Sequence, residues 1–203
     1  MKRFSTFVSV FLFSLSFAMA QKQPTITSAQ DLAGLLKAPT NAGTNFYFSF
    51  PPCYEEESNG FANNCRVFVA SNKEQVVTIE VTGKNWTSSK TVKANDVAEF
   101  IIPTSVAQPF LKPGRDAAPA EKVYIESAVH VFSESPIIVY GVTRYNYTSD
   151  GFLVLPENAL GTEYVVAAYP QYTAVGSGYQ LVSETTISAA YDQTEVTFLM
   201  GGN

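Results

Sequence analysis

The side chain with the clearest capacity for acid–base chemistry is His130, the single histidine of this 203-residue chain. A serine or cysteine nucleophile normally needs a histidine as its base, so a catalytic triad would have to use His130. The residue lies between Val129 and Val131 in an alternating segment, which predicts a side chain that points out of a sheet or lines its edge. A structural position on a sheet is the favoured interpretation.

A run of three acids, Glu55-Glu56-Glu57, offers carboxylates for glycoside hydrolysis or for Ca²⁺ binding. Adjacent identical acids in a loop are typical of a solvated turn, and the sequence identifies no opposing acid. The chain also lacks a His-Glu-x-x-His motif, a glycine-rich phosphate loop after a strand and a nucleophile elbow. We therefore expect a protein that is not an enzyme, with no catalytic residue, no metal site and no cofactor.

Two cysteines, Cys53 and Cys65, flank the acidic, asparagine-rich loop. In an oxidising compartment a close pair is most simply a disulfide, and closing a loop of this size would contribute about 3 kcal/mol. A metal pair or a redox pair is the alternative, but CxxC spacing is absent and His130 is distant in sequence. The prediction is a Cys53–Cys65 disulfide.

Tyrosines provide amphipathic contact area that suits a sugar-binding or protein-binding surface. The candidates are Tyr140, Tyr145, Tyr147, Tyr164, Tyr169, Tyr172 and Tyr179. Core or ordinary sheet-surface positions are the favoured interpretation for most of them, so the binding residues stay unassigned. Asn85-Trp86-Thr87 and Asn146-Tyr147-Thr148 match the N-glycosylation acceptor pattern, which matters only in a source that glycosylates.

Residues 1–20 have the pattern of a secretory signal peptide. Lys2 and Arg3 precede an apolar stretch that is short for a bilayer span, and small residues precede a cleavage site between Ala20 and Gln21. A membrane anchor is the alternative. We expect a secreted or cell-surface protein with no transmembrane segment in its mature chain. The net charge of −5 and the absence of Lys/Arg runs argue against nucleic acid as a partner.

The composition is typical of strands: aromatic residues are frequent, and charged residues make up 15% of the chain, against roughly 25% in an ordinary globular protein. The predicted strands are Phe46–Phe50, Arg66–Ala70, Val76–Val81, Trp86–Lys93, Val97–Ile102, Val123–Phe132, Ile137–Tyr145 and Phe152–Leu155. Turn-forming residues at 71–75, 95–96 and 133–136 predict that consecutive strands form hairpins. The fold class is therefore all-β, an antiparallel β-sandwich.

Two echoes indicate an internal repeat. The stretch that begins Gly43-Thr44 returns at Gly161-Thr162, and the segment 67–83 returns at 186–202. Both echoes have nearly the same, domain-sized spacing. After the signal peptide we therefore predict an N-terminal segment with a short helix over 21–41 and a first β-sandwich module over 42–148. Residues 149–203 are predicted to start a second, related module that is cut short or packs on the first.

One passage resembles a known family. The segment 127–140 leads into Phe152-Leu153-Val154-Leu155-Pro156 and then Ala159-Leu160-Gly161-Thr162-Glu163-Tyr164, and the earlier run 43–52 has similar character. From about Gly43 onward the chain resembles the N-terminal domain of IgGFc-binding proteins, which include mucus-associated animal proteins and bacterial secreted proteins. The resemblance implies an extracellular, all-β, non-enzymatic module and supplies no catalytic residues.

These observations favour a secreted or surface-displayed binding and adhesion module whose ligand is an extracellular protein or glycan. A secreted β-sandwich enzyme acting on polysaccharide is the first alternative, and it requires two carboxylates converging in an aromatic cleft. A structural piece of an extracellular assembly is the second. It predicts that the strands of 149–203 pair with further chain or with a partner.

Overall fold

The computed structural model describes residues 40–52, 64–109, 123–145, 149–168, 172–173, 180–181 and 185–199, all within the unit Pro39–Asn203. The strands are β1 (Gly43–Phe48), β2 (Cys65–Ser71), β3 (Gln75–Val81), β4 (Trp86–Val92), β5 (Asp96–Ile102), β6 (Val129–Thr143), β7 (Asp150–Val154), β8 (Tyr172–Thr173) and β9 (Gln180–Leu181). The helical elements are α1 (Thr104–Ala107) and the 3₁₀ turns Thr82–Lys84 and Glu157–Ala159. The predicted signal peptide, its Ala20–Gln21 cleavage site and the predicted helix after it lie outside the described residues.

The long strand β6 joins two groups of strands. Its first part, around Val131, pairs with β1 on one edge and β3 on the other, and β4 extends that group beyond β3. Its last part, around Val139, pairs with β2 and β7, and β5 extends that group beyond β2. All of these pairs are antiparallel, and the seven strands form one nearly closed, barrel-like sheet. The prediction of an antiparallel all-β fold is confirmed.

The core follows from strict alternation along the strands. In β3 the side chains of Val77, Ile79 and Val81 are buried, while Thr78 and Glu80 point outward. The same alternation buries one face of β2 and of both ends of β6, whereas β4 buries only Val92. Each fully buried Val, Ile or Phe contributes about 1.5–3 kcal/mol relative to an exposed one. The largest fully buried apolar side chains are Phe46, Phe50, Phe100, Ile79, Ile102 and Ile137.

An aromatic ring that packs over a glycine holds β7 against β6. Gly141 pairs directly with Phe152, and the Phe152 ring covers the glycine. A Cβ at position 141 would lie 2.8 Å from each Cε atom of that ring and closer still to its Cζ atom. Any larger residue would therefore have to push the ring aside. The same ring meets Phe48 and Phe50 edge-on, with centroids 5.8 and 5.4 Å away.

Each predicted strand overlaps an observed one, but the prediction Val123–Phe132 begins too early, because residues 123–128 form a turn and irregular chain and the strand starts at Val129. Two predicted hairpins are also wrong. β2 pairs with β5 rather than with β3, and β4 pairs with β3 rather than with β5. The predicted turn at 133–136 is also wrong, because β6 runs through it without reversing. Pairing of β6 to β3 ends at Ser133, and its pairing to β2 begins at Ile137. Pro136 lies between these two paired stretches, where its lack of a backbone N–H costs no hydrogen bond to either strand. The side-chain oxygen Oε1 of Gln75 accepts from the Ser135 N–H at 2.8 Å.

The residues after 148 are organised differently from the first copy of the proposed repeat. β7 follows the predicted module boundary, yet it belongs to the same sheet as β6. Gly43-Thr44 opens β1, whereas residues 161–168, which begin with the second Gly-Thr, form no strand and are exposed. The described residues 185–199 form no strand either. The sandwich arrangement, the second module and the tandem repeat remain predictions.

Candidate functional site

The outer face of β1, β6 and β3 carries a group of aromatic, acidic and hydrogen-bonding side chains around His130. Alternation points Asn45 and Tyr47 outward from β1, His130 and Phe132 from β6, and Glu80 from β3. The register brings them together, because His130 is the direct cross-strand partner of both Tyr47 and Glu80. We call these five residues the His130 cluster.

Aromatic contacts hold the imidazole of His130 in place. Its ring stacks on Tyr47 with centroids 4.3 Å apart and planes 2° from parallel, and it also packs on Phe132 at 4.9 Å and 29°. Offset stacking of this kind is worth about 0.5–1.5 kcal/mol beyond the area buried. The sequence prediction that His130 faces out of the sheet agrees with this position, at which its side chain is 20% exposed.

Both ring nitrogens of His130 face oxygen atoms. Nδ1 lies 3.0 Å from Glu80 Oε1, and Nε2 lies 3.3 Å from Asn45 Oδ1. The imidazolium form donates to both oxygens, whereas the neutral form donates to Glu80 and accepts from the Asn45 amide once that amide is turned over. Among the described residues, no serine or cysteine side chain is hydrogen-bonded to His130, so this histidine is not part of an assembled triad there.

A cleft of about 490 Å³ adjoins the cluster at the start of β1, and we call it the Glu157 cleft. Its lining residues are Ala42, Gly43, Thr44, Asn45, Pro136, Glu157, Asn158 and Tyr191. The hydroxyl of Tyr191 donates to Glu157 Oε1 at 2.5 Å. Asn45 belongs to both features, so the cleft and the His130 cluster form one continuous surface.

Backbone packing positions Glu157. The 3₁₀ turn that begins at this residue lies against the start of β1, because Pro156 packs directly over Gly43. A Cβ at Gly43 would lie within 3.0 Å of Pro156 Cγ and closer still to its Cβ, so only glycine allows this approach. The side chain of Ser188 donates to that of Ser49 at 3.1 Å, which ties the segment that carries Tyr191 to the residue after β1.

The electrostatics of this surface are set by its carboxylates. Partial burial, and then the charges of Glu157 and Glu80, raise the pKa of Tyr47. The hydrogen bond to Glu157, and then the charge of Glu157, raise the pKa of Tyr191. Both tyrosines therefore stay neutral donors at physiological pH.

The three tyrosines singled out from the sequence whose side chains the structure describes lie in different surroundings. Tyr140 is exposed (45%) on the last part of β6, Tyr145 is buried (4%), and Tyr164 is exposed (63%) outside any strand. Of the other four, Tyr147, Tyr169 and Tyr179 lie outside the described residues, and the side chain of Tyr172 is likewise not described.

The other predicted site residues are only partly described. Cys65 is buried at the start of β2, while Cys53 lies outside the described residues, so the disulfide stays a prediction. Glu55-Glu56-Glu57 and Asn146 lie outside them as well. Asn85 is exposed, with a left-handed backbone φ of 48°, at the end of the turn before β4.

Sequence reasoning missed Asn45, Tyr47, Glu80 and Glu157 as site residues. The sequence did contain one signal: Asn45 and Tyr47 alternate with Phe46 and Phe48. This alternation predicts that the polar groups of Asn45 and Tyr47 lie on the outer face of β1. The described residues contain no group of three or more His, Cys, Asp or Glu side chains arranged to hold a metal ion. They also contain no helix with the length and apolar character needed to cross a membrane.

Comparison with known proteins gives no relative: no family model, no curated protein and no solved structure matches this chain.

Proposed function

We propose that this chain is a secreted or cell-surface, non-catalytic binding and adhesion module of the IgGFc-binding type, whose ligand is an extracellular protein or glycan. Support comes from the signal-peptide pattern of residues 1–20, the family resemblance of the segment 127–164 and the strand composition. Under the same proposal, residues 149–203 belong to a related second module or pack on the first, and their exposed apolar residues meet further chain or a partner.

The observation that carries the proposal is the aromatic and polar surface around His130. Tyr47, His130 and Phe132 form a packed row, and the side chains of Asn45 and Glu80 fix the imidazole from two sides. Aromatic residues with a polar edge are enriched at recognition surfaces, because they combine large contact area with little loss of side-chain freedom. A surface already ordered in this way loses little conformational entropy on binding.

A polysaccharide-cleaving enzyme is the competing proposal. The charges of Glu157 and Glu80 both raise the pKa of Tyr47, so two carboxylates act on one aromatic side chain. Glu80 is already paired with His130, which restrains it as a free general acid or base. We therefore favour binding over hydrolysis.

The test is adhesion of beads coated with the purified mature chain to immobilised mucin, polysaccharide and IgG Fc. The variant Tyr47→Ala/Phe132→Ala removes the aromatic row, and Tyr140→Ala removes an exposed tyrosine from the other part of β6. We expect the first variant to lose adhesion to the surface that the parent chain binds, and the second to retain it. Equal adhesion of all three chains, or adhesion to none of the surfaces, would overturn the proposal. Release of new reducing ends from the polysaccharide would favour the enzyme instead.

A further inference from the structure

Glu157 gives its cleft a negative charge, and no described residue in the lining carries a positive one. Glu157 is the single charged residue in its lining, and within the part of the chain that the structure describes it makes no ion pair. The hydroxyl of Tyr191 donates a hydrogen bond to Oε1 of Glu157, and the described residues make no other hydrogen bond to the Glu157 side chain. Oε2 is therefore available to accept a donor from a ligand.

An aromatic side chain completes this environment. Tyr191 lines the cleft, and its hydroxyl donates to the carboxylate of Glu157. A carboxylate beside a tyrosine is complementary to a cation, which gains both an ion pair and attraction to the aromatic ring. Carbonyl and hydroxyl oxygens of Thr44, Asn45 and Asn158 at the same cleft can accept further N–H groups.

Among cations, a guanidinium fits this combination better than an ammonium. Its planar group stacks on aromatic rings while its edge donates several hydrogen bonds in fixed directions. A cleft of about 490 Å³ is large enough for one arginine side chain and the chain on either side of it, but it contacts only a small part of a protein surface. The fitting occupant is therefore an arginine on an exposed loop of a protein partner.

We infer that the Glu157 cleft binds an arginine side chain of a basic protein partner. This inference rests on the proposed binding function and names the chemistry of one of its contacts. Glu157 accepts from the guanidinium, Tyr191 contacts its plane, and the acidic character of the chain draws a basic partner to the surface.

The experiment is a titration of the isotope-labelled mature chain, followed by two-dimensional NMR, with the peptide acetyl-Gly-Arg-Gly-amide. The matched peptide has citrulline in place of arginine, which keeps the shape and removes the charge. We expect saturable shifts at the amides of residues 43–45 and 157–158 with the arginine peptide alone. Added salt should weaken them, because the contact is partly solvent-exposed.

Two variants make the test specific. Glu157→Gln keeps the size of the side chain and should weaken binding about tenfold, as loss of one member of a charge pair does. Glu74→Gln makes the same charge change at an exposed position in the β2–β3 connection and should leave binding unchanged. Equal shifts with both peptides, or equal binding by both variants, would overturn the inference. If bead adhesion still depends on Tyr47 and Phe132 in that case, the proposed function stands while the arginine site falls.

Discussion

The imidazole of His130 and the phenol ring of Tyr47 stack almost perfectly parallel, 4.3 Å apart, as direct cross-strand partners on β6 and β1. β1 has no other strand partner among the described residues, so this pair stabilises the attachment of a strand as well as the surface above it. The contribution of the stacked His130–Tyr47 pair to the free energy of unfolding can be measured separately from that of the backbone hydrogen bonds between β1 and β6.

A double-mutant cycle with Tyr47→Ala and His130→Ala should give a coupling energy of about 0.5–1.5 kcal/mol in the free energy of unfolding. The physical reason is loss of the stacked contact, which each single substitution already removes completely. Chemical denaturation of the four proteins provides the measurement. A parallel cycle of His130→Ala with Tyr140→Ala should show no coupling, and additive effects in the first cycle would show that the stacked rings do not interact energetically.

Alkaline pH should destabilise the folded chain. The surroundings of Tyr47 and Tyr191 raise the pKa of each above the ordinary value of 10.0. The folded state therefore holds these protons more tightly than the unfolded chain does. The resulting stabilisation is complete below the unfolded value and is lost as pH rises through the folded values.

Denaturant unfolding from neutral to alkaline pH should accordingly show a free energy of unfolding that falls above about pH 10. Tyr191→Phe should reduce the steepness of that fall, whereas Tyr164→Phe, at an exposed position for which no such carboxylate contact exists in the described residues, should not. A fall of the same steepness in the parent and in Tyr191→Phe would contradict the role given to the Glu157 hydrogen bond.

Gly141→Ala should destabilise the protein by about 1–3 kcal/mol, because the new methyl group would have to displace the Phe152 ring from its packing against the core. Gly151→Ala is the matched control on the paired strand. Its methyl group would meet neighbours only at 3.7 Å, an ordinary contact, so the free energy of unfolding should change by less than about 1 kcal/mol. Thermal and denaturant unfolding of both variants would test the difference, and similar losses in the two would contradict the proposed close approach.

The predicted Cys53–Cys65 disulfide should be detectable by alkylation of the unfolded mature chain before and after reduction, with both thiols reacting only after reduction. Cys53→Ser should then lower the free energy of unfolding by about 3 kcal/mol. This substitution is more informative than one at Cys65, which is buried and would also change core packing. Reaction of both thiols in the oxidised chain without reductant would rule the disulfide out.

Alternation predicted the strands but not their partners. In β3 the pattern Val77, Ile79, Val81 identified both the element and its buried face, because that signal is local. The pairing of β2 with β5 is not local, because β3 and β4 lie between them in the sequence. The composition around Pro136 is typical of a turn, yet a proline is equally acceptable at a point where a long strand exchanges one neighbour for another.

The candidate site was predictable only in part, because pairing between strands distant in the sequence brings its residues together. The outward direction of His130 follows from its own strand. Its contact with Tyr47 depends on the register between β1 and β6, and its contact with Glu80 depends on the register between β3 and β6. The approach of Glu157 needs the packing of Pro156 on Gly43, which no spacing rule expresses.

The central place of β6 has a consequence for how the chain is made. Among the described strands, those that precede β6 can form only the pairs β2–β5 and β3–β4 until residues 129–143 leave the ribosome. The phenylalanine-rich β1 pairs with β6, so none of these earlier strands offers it a partner. Isolated strand pairs are only marginally stable in water, and long-range pairing is slow to form. The unfinished chain therefore exposes apolar strands for most of its synthesis, and any shortened product that ends before β6 should aggregate rather than fold.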